Sequence, residues 1–139
     1  MKILILNGAN LNLLGTREPD IYGSTSMDDV LTHLKSEYSQ HAIEYFQSNF
    51  EGEIIGKIQE NDFDALVINP GAFTHYSYAI ADALKNLKKP KIEVHISNIY
   101  QREEFRQKSV TAAYTDAVLS GFGTEGYRLA IIHLISTIQ

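Results

Sequence analysis

Cysteine is absent from the chain, and with it go disulfides, thiolate nucleophiles and cysteine-ligated metals. Proline is scarce, three residues against nine glycines, so no proline-rich linker or low-complexity tract interrupts the sequence. An excess of positive charge is also missing. Lysine and arginine number 12 against 17 acids, for a net charge of -5 and a pI near 5.5, which argues against a nucleic-acid surface. The opening apolar run, Ile3-Leu4-Ile5-Leu6, passes at once into polar residues. It is too short for a signal peptide or a membrane span, so a cytoplasmic protein without membrane attachment is expected. The five histidines lack ligand spacings such as His-Glu-x-x-His, and no metal site is expected.

What is present is the composition of an ordinary folded domain, 44% hydrophobic and 21% charged. A chain of this size buries roughly 70% of its unfolded surface, enough for one core, so residues 1–139 read as a single domain. Short runs rich in Ile and Val at 2–6, 42–47, 65–68, 92–96 and 117–119 predict strands. Between them lie segments of helical period. Ser26, followed by Asp28 and Asp29, starts a helix through Tyr38 with Val30, Leu31 and Leu34 inward. Phe50–Glu60 places Ile54, Ile55 and Ile58 inward, Tyr78–Leu87 stops before Pro90, and Thr124–Ile138 carries Leu129, Ile132, Ile135 and Ile138. Five strands and about five helices in strict alternation predict an α/β fold: a flavodoxin-like, doubly wound, five-stranded parallel sheet with helices on both faces. Ligands of such sheets sit beyond the carboxyl ends of the strands.

Three loops at those ends carry the chemistry. The first, residues 7–23, is a long amide-rich loop with Asn7, Asn10 and Asn12, one arginine, Arg17, and a tyrosine five residues on, Tyr22. Loops of that length in compact domains are usually lids or binding segments. A guanidinium near a phenol stabilises the phenolate and turns tyrosine into a usable base; the bland alternative is a surface loop whose asparagines turn the backbone. After the third strand comes Asn69-Pro70-Gly71-Ala72-Phe73-Thr74-His75, where Thr74 is a candidate cap for the next helix. After the fourth comes Glu93-Val94-His95-Ile96-Ser97-Asn98, where strand alternation puts Glu93 and His95 on one face. A carboxylate beside an imidazole orients it and suits it to general acid work; the bland alternative is a satisfied pair at a strand end. Arg102 and Arg106, four apart, are expected to share a helical face and to anchor a carboxylate or hydroxyl-rich substrate, although Glu103 and Glu104 beside them equally allow a solvated charged face.

Other features point nowhere. Gly121-Phe122-Gly123-Thr124-Glu125-Gly126 fits a dinucleotide fingerprint, but no further strand and no ribose-binding acid follow it, so its glycines serve a strand-to-helix turn. Lys85, Lys88, Lys89 and Lys91 read as a solvated helix end. A flavin carrier would show a Ser/Thr-rich phosphate turn after the first strand, and a phosphoacceptor receiver an aspartate where Asn69 stands. No serine sits in a Gly-x-Ser-x-Gly elbow.

The stretch Asn-Gly-Ala-Asn-Leu-Asn-Leu-Leu-Gly-Thr-Arg-Glu-Pro-Asp-Ile-Tyr-Gly, then Asn-Pro-Gly-Ala-Phe-Thr-His, then Glu-Val-His-Ile-Ser-Asn with Arg-Glu-Glu-Phe-Arg, resembles type II 3-dehydroquinate dehydratase over essentially the whole chain. The departures are Ala9, where the family usually has proline, and Phe73, where tyrosine is common. The resemblance implies a lyase of the shikimate pathway, acting without metal, cofactor or Schiff base. It implies Tyr22 as the base, Arg17 as its stabiliser, Asn10 at the enolate oxygen through a water, and His95, oriented by Glu93, as the acid. It implies Ser97 and the Ile96 backbone for the substrate carboxylate, Asn69, His75 and Arg106 for the ring hydroxyls, and Arg102 as a loop arginine moving with the lid. It also implies a dodecamer of four trimers in which Asp82 reaches a neighbouring subunit's site.

Overall fold

The computed structural model describes residues 1–15 and 25–138. Five strands, β1 (Lys2–Asn7), β2 (Ala42–Gln47), β3 (Ala65–Asn69), β4 (Lys91–His95) and β5 (Ala117–Ser120), form one sheet in the order β2-β1-β3-β4-β5. Every adjacent pair is parallel, as the alternating pattern predicted. Among the described residues four α-helices cover it: α1 (Met27–Glu37), α2 (Glu51–Glu60), α3 (Tyr78–Asn86) and α4 (Glu125–Ile138).

Side-chain alternation divides the core in two. Ile3 and Ile5 of β1, Ala65 and Val67 of β3, and Ile92 and Val94 of β4 face α1 and α4. Leu4, Leu6, Leu66 and Ile68 face α2 and α3. Both faces are therefore covered, and the central strands β1 and β3 are apolar on both sides between their ends. Each fully buried Ile or Leu contributes about 1.5–3 kcal/mol. Ser26 caps α1 by accepting from Asp29 N at 3.2 Å, and Val30, Leu31 and Leu34 are buried as expected. On α2, Ile54 and Ile58 are buried and Ile55 packs partly against the same core.

Several sequence expectations are corrected. The helix expected over residues 99–106 is replaced by two 3-10 turns, Ile99–Gln101 and Glu104–Arg106, so the helices among the described residues number four and the alternation breaks after β4. Arg102 lies between these turns with ψ 179°, an extended residue that no helix accommodates. Its carbonyl is tied to Gln107 Nε2 at 2.8 Å instead. On α4 the buried residues are Gly126, Tyr127, Ala130, Ile131 and Leu134, whereas Ile132 and Ile138 are exposed. That helix is apolar on more than one side, so its period leaves the inward face open, and Tyr127 at 0% exposure decides it. Lys91 is buried rather than solvated, its Nζ donating to Leu87 O at 2.7 Å at the end of α3.

The fingerprint-like glycines make a turn: Gly121 and Gly123 have φ of 94° and 61°, a region open to glycine without strain.

Candidate active site

Parallel strands deliver their last residues to one edge, so Asn7, Asn69 and His95 close β1, β3 and β4 side by side. The loops after β1 and β3 are pressed together there. Gly8 N donates to Asn69 O at 2.8 Å, and a Cβ on Gly8 would stand 2.1 Å from the Pro70 carbonyl oxygen. Asn10 follows in the left-handed region, φ 69°, which asparagine tolerates better than most residues, and Asn49 Oδ1 accepts from its N–H at 2.9 Å.

Glu93 and His95 stand on the face of β4 opposite Ile92 and Val94, as alternation predicted, and His95 Nε2 lies 2.7 Å from Glu93 Oε2. Glu93 is 0% exposed and His95 6%. A carboxylate so deeply placed needs donors on all sides, and the segment after β4 and the turn after β3 provide them. Ser109 Oγ donates to Oε2 at 2.9 Å and Thr111 Oγ1 to Oε1, while Thr74 Oγ1 stands 3.3 Å from Oε2. Burial alone would push the Glu93 carboxyl up; the bonds from His95, Thr111 and Ser109 outweigh it and hold the carboxyl below its ordinary range.

A second buried network lies on the α4 face. Tyr127 Oη donates to Asn7 Oδ1 at 2.8 Å and accepts from Asn69 Nδ2 at 3.1 Å, and Asn7 Nδ2 reaches Tyr45 Oη at 3.3 Å. Burial pushes the Tyr127 phenol well up, so it stays neutral and serves as a hydrogen-bonding strut. Asn69 Oδ1 accepts from Gly71 N at 3.1 Å, which leaves its second N–H for the cleft.

That cleft holds about 600 Å³ of empty space open to solvent, lined among others by Asn10, Asn69, His75, His95, Ser97 and both Arg102 and Arg106. His75 Nδ1 must donate to Lys108 O at 2.7 Å, so Nε2 is the nitrogen left for a ligand hydroxyl. Arg102 Nη1 donates to Ser97 Oγ at 3.3 Å, and Arg106 Nη1 pairs with Glu103 Oε2 at 2.6 Å. Two guanidiniums, three amide or imidazole groups and an acid-base pair thus converge on one polar pocket of the size that takes a small, anionic, oxygen-rich molecule.

The model of the Dehydroquinase class II family matches residues 1–135. The chain belongs to the class II dehydroquinase family. It is 54% identical over 141 aligned residues to the 3-dehydroquinate dehydratase of Thermotoga petrophila, covering 100% of this chain and 98% of that protein. Among solved structures, the type II dehydroquinase of Butyrivibrio crossotus superposes with a TM-score of 0.93 at 49% identity, covering 97% of both chains. That of Propionibacterium acnes gives 0.92 at 46% identity, covering 97% of this chain and 96% of the other.

Within this class II dehydroquinase fold, the structure brings together Asn10, Asn69, His75, His95, Ile96, Ser97, Arg102 and Arg106, with Glu93 directly behind His95. Arg17 and Tyr22 lie outside the described residues. Asp82 is exposed on α3 and does not line this cleft. Arg102 and Arg106 meet there without sharing a helical face, because two 3-10 turns rather than one helix carry them. Thr74 does not cap α3; Ser77 does, accepting from Ile80 N at 3.0 Å, which frees Thr74 for the Glu93 cluster. Ser109, Thr111 and Tyr127 have no recognisable spacing and Thr74 was read as a helix cap; the one sequence signal for the three hydroxyls was that Glu93, an acid in an apolar strand, would need more donors than His95 alone. Among the described residues no group of three or more His, Asp or Glu side chains is placed to hold a metal, and no helix is long and apolar enough to cross a membrane.

Proposed function

We propose that the chain dehydrates 3-dehydroquinate reversibly to 3-dehydroshikimate in the shikimate pathway of the cytoplasm. The observation that carries this reading is the buried Glu93–His95 pair, 2.7 Å apart, opening onto a cleft with two arginines, in a chain 54% identical to a 3-dehydroquinate dehydratase. Tyr22, as phenolate, removes the proton at C2, alpha to the ketone, and the electron pair moves onto the carbonyl oxygen as an enolate. An ordinary phenol titrates near 10, and each unit of lowering by Arg17 represents about 1.36 kcal/mol in favour of the phenolate. Asn10, through a bound water, shelters the enolate oxygen. The enolate then re-forms the ketone, the double bond forms, and the carbon–oxygen bond to the leaving hydroxyl breaks as His95 delivers a proton to it. Glu93 binds Nε2, so Nδ1 is the nitrogen that faces the substrate.

Ser97 and the Ile96 backbone bind the substrate carboxylate, while Asn69, His75 and Arg106 bind ring hydroxyls and Arg102 moves with the lid. No step uses a metal, a cofactor or a Schiff base. The working form is a homo-oligomer, a dodecamer of four trimers, in which Asp82 completes a neighbour's site. Asp82 and Tyr78, four residues apart on α3, share an exposed face, and Tyr78 is 68% exposed, a cost that a subunit interface removes.

The test is ultraviolet absorbance of the conjugated enone appearing from 3-dehydroquinate, with Tyr22→Phe beside the wild type. Turnover is expected to fall by about 10²–10⁴-fold or more with folding intact. Near-normal turnover in that variant removes Tyr22 from the mechanism, and a lysine adduct trapped by borohydride overturns the enolate route.

A further inference from the structure

The acid Glu93 is surrounded by more hydroxyls than a carboxylate needs merely to be buried. Thr74 and Thr111 are 0% exposed, and Thr74 Oγ1 lies 2.7 Å from both Ser109 Oγ and Thr111 Oγ1. These three residues come from different parts of the chain: Thr74 from the 3-10 turn Gly71–His75 after β3, and Ser109 and Thr111 from the segment leading to β5. Val110 N donates to Thr74 O at 2.7 Å, which ties the two segments together, and Ala112 N donates to Ser109 Oγ at 3.0 Å, which fixes that hydroxyl within its own segment.

Proton counting decides what this cage accepts. Each hydroxyl has one proton. Ser109 gives its proton to Oε2 and Thr111 gives its proton to Oε1. Thr74 then points its own proton at Ser109, Thr111 or Oε2, and in every arrangement the donors converge on the acid. A protonated Glu93 has no acceptor to receive its hydrogen unless one of these bonds reverses. With Oε2 held this way, His95 meets it only as an Nε2–H donor, and Nδ1 becomes the nitrogen that exchanges a proton with a ligand.

We propose that Thr111, Ser109 and Thr74 are positioning residues of the dehydration: a hydroxyl cage that holds Glu93 as an anion and thereby commits His95 to deliver its proton from Nδ1. The proposal rests on His95 being the acid, as argued above. The other charged or titratable groups near the pair among the described residues are His75, from the turn after β3, and Arg102 and Arg106, from the turns after β4, which line the cleft with His95, and Lys91, on the same face of β4 as Glu93, whose Nζ is turned to Leu87 O and Lys89 O. β3 presents the apolar Leu66 and Ile68 to the same side of the sheet.

The experiment compares Thr111→Val, which keeps shape and removes the donor, with Thr111→Ser, which restores it, in the intact assembly. In Thr111→Val, kcat at neutral pH is expected to fall about tenfold or more, with KM within about twofold. The acid limb of the kcat profile is expected to rise by about one pH unit, because a lost bond to a charged group acts on this scale. Thr111→Ser recovers both. Carbon-13 NMR of the Glu93 carboxyl, titrated in both variants, reads the cage without any turnover. A Glu93 titration or a pH profile unmoved by Thr111→Val overturns the cage, as does loss of melting temperature alone with kinetics intact. Absence of wild-type enone formation instead overturns the functional reading, and the carboxyl titration still decides the cage. Ser109→Ala, at a half-buried position, serves in the same way where Thr111→Val does not fold.

Discussion

Removing one oxygen atom from Tyr127 tests the link between the core and the cleft. In Tyr127→Phe the ring still fills its site, so the loss is confined to two hydrogen bonds, 2.8 Å to Asn7 Oδ1 and 3.1 Å from Asn69 Nδ2. Asn7 is 0% exposed and Asn69 3%, so neither freed group finds water easily. Each orphaned polar group costs about 1–3 kcal/mol. Asn7 keeps Tyr45 and Asn69 keeps Gly71 N, and Asn69 borders the cleft, so the lower half of the combined range applies, about 2–4 kcal/mol. For a chain of this size that is a fall in melting temperature of about 6–15 °C. The pH dependence supplies a second check. Burial raises the phenol above its ordinary value, so the unfolded chain loses this proton first as pH rises. The Tyr127 contribution is therefore complete below about pH 10 and lost above it, and the gap between wild type and variant narrows on the alkaline side. Because Asn69 loses its anchor, KM is also expected to rise severalfold while kcat changes less. Thermal melts at neutral and alkaline pH and steady-state kinetics measure all three. A variant melting within a degree of the wild type, with unchanged KM, would refute the strut.

Glu93→Gln is expected to lower kcat by about 10²–10⁴-fold, since an amide cannot accept from His95, Ser109 and Thr111 together. Its stability deficit follows pH in the opposite sense to that of Tyr127. The Glu93 carboxyl is held below its ordinary value of 4.5, so its contribution is complete above that value and lost as pH falls through the lowered one; urea titrations at pH 7 and in acid should show the gap closing. Gly8→Ala would place a methyl carbon 2.1 Å from a backbone oxygen, and a loss of about 1–3 kcal/mol or more is expected in denaturant unfolding, with an accompanying loss of activity because the cleft loops separate.

Much of this molecule was legible in the sequence because period is local. Val30, Leu31 and Leu34 announce which side of α1 is buried, and the apolar strands announce a sheet covered on both faces. The pairing of Glu93 with His95 was readable for the same reason, since two residues of one strand at even spacing must share a side. Arg102 and Arg106 show where this reasoning stops. Their spacing fits a helix, yet an extended backbone at Arg102 and a bond from Gln107 to its carbonyl replace the helix with turns.

What the sequence determined by itself was the number and direction of the strands, and hence the edge where the site must lie. Tertiary structure decided which side of α4 turns inward, because apolar residues stand on more than one side of that helix: Ile131 and Leu134 are buried while Ile132 and Ile138 are exposed. It alone gathered Thr74, Ser109 and Thr111 around Glu93, and Asn7, Asn69 and Tyr127 beneath the cleft. A buried polar group must find its partners wherever the folded chain brings them, and those partners stand up to 120 positions apart, beyond the reach of any local pattern.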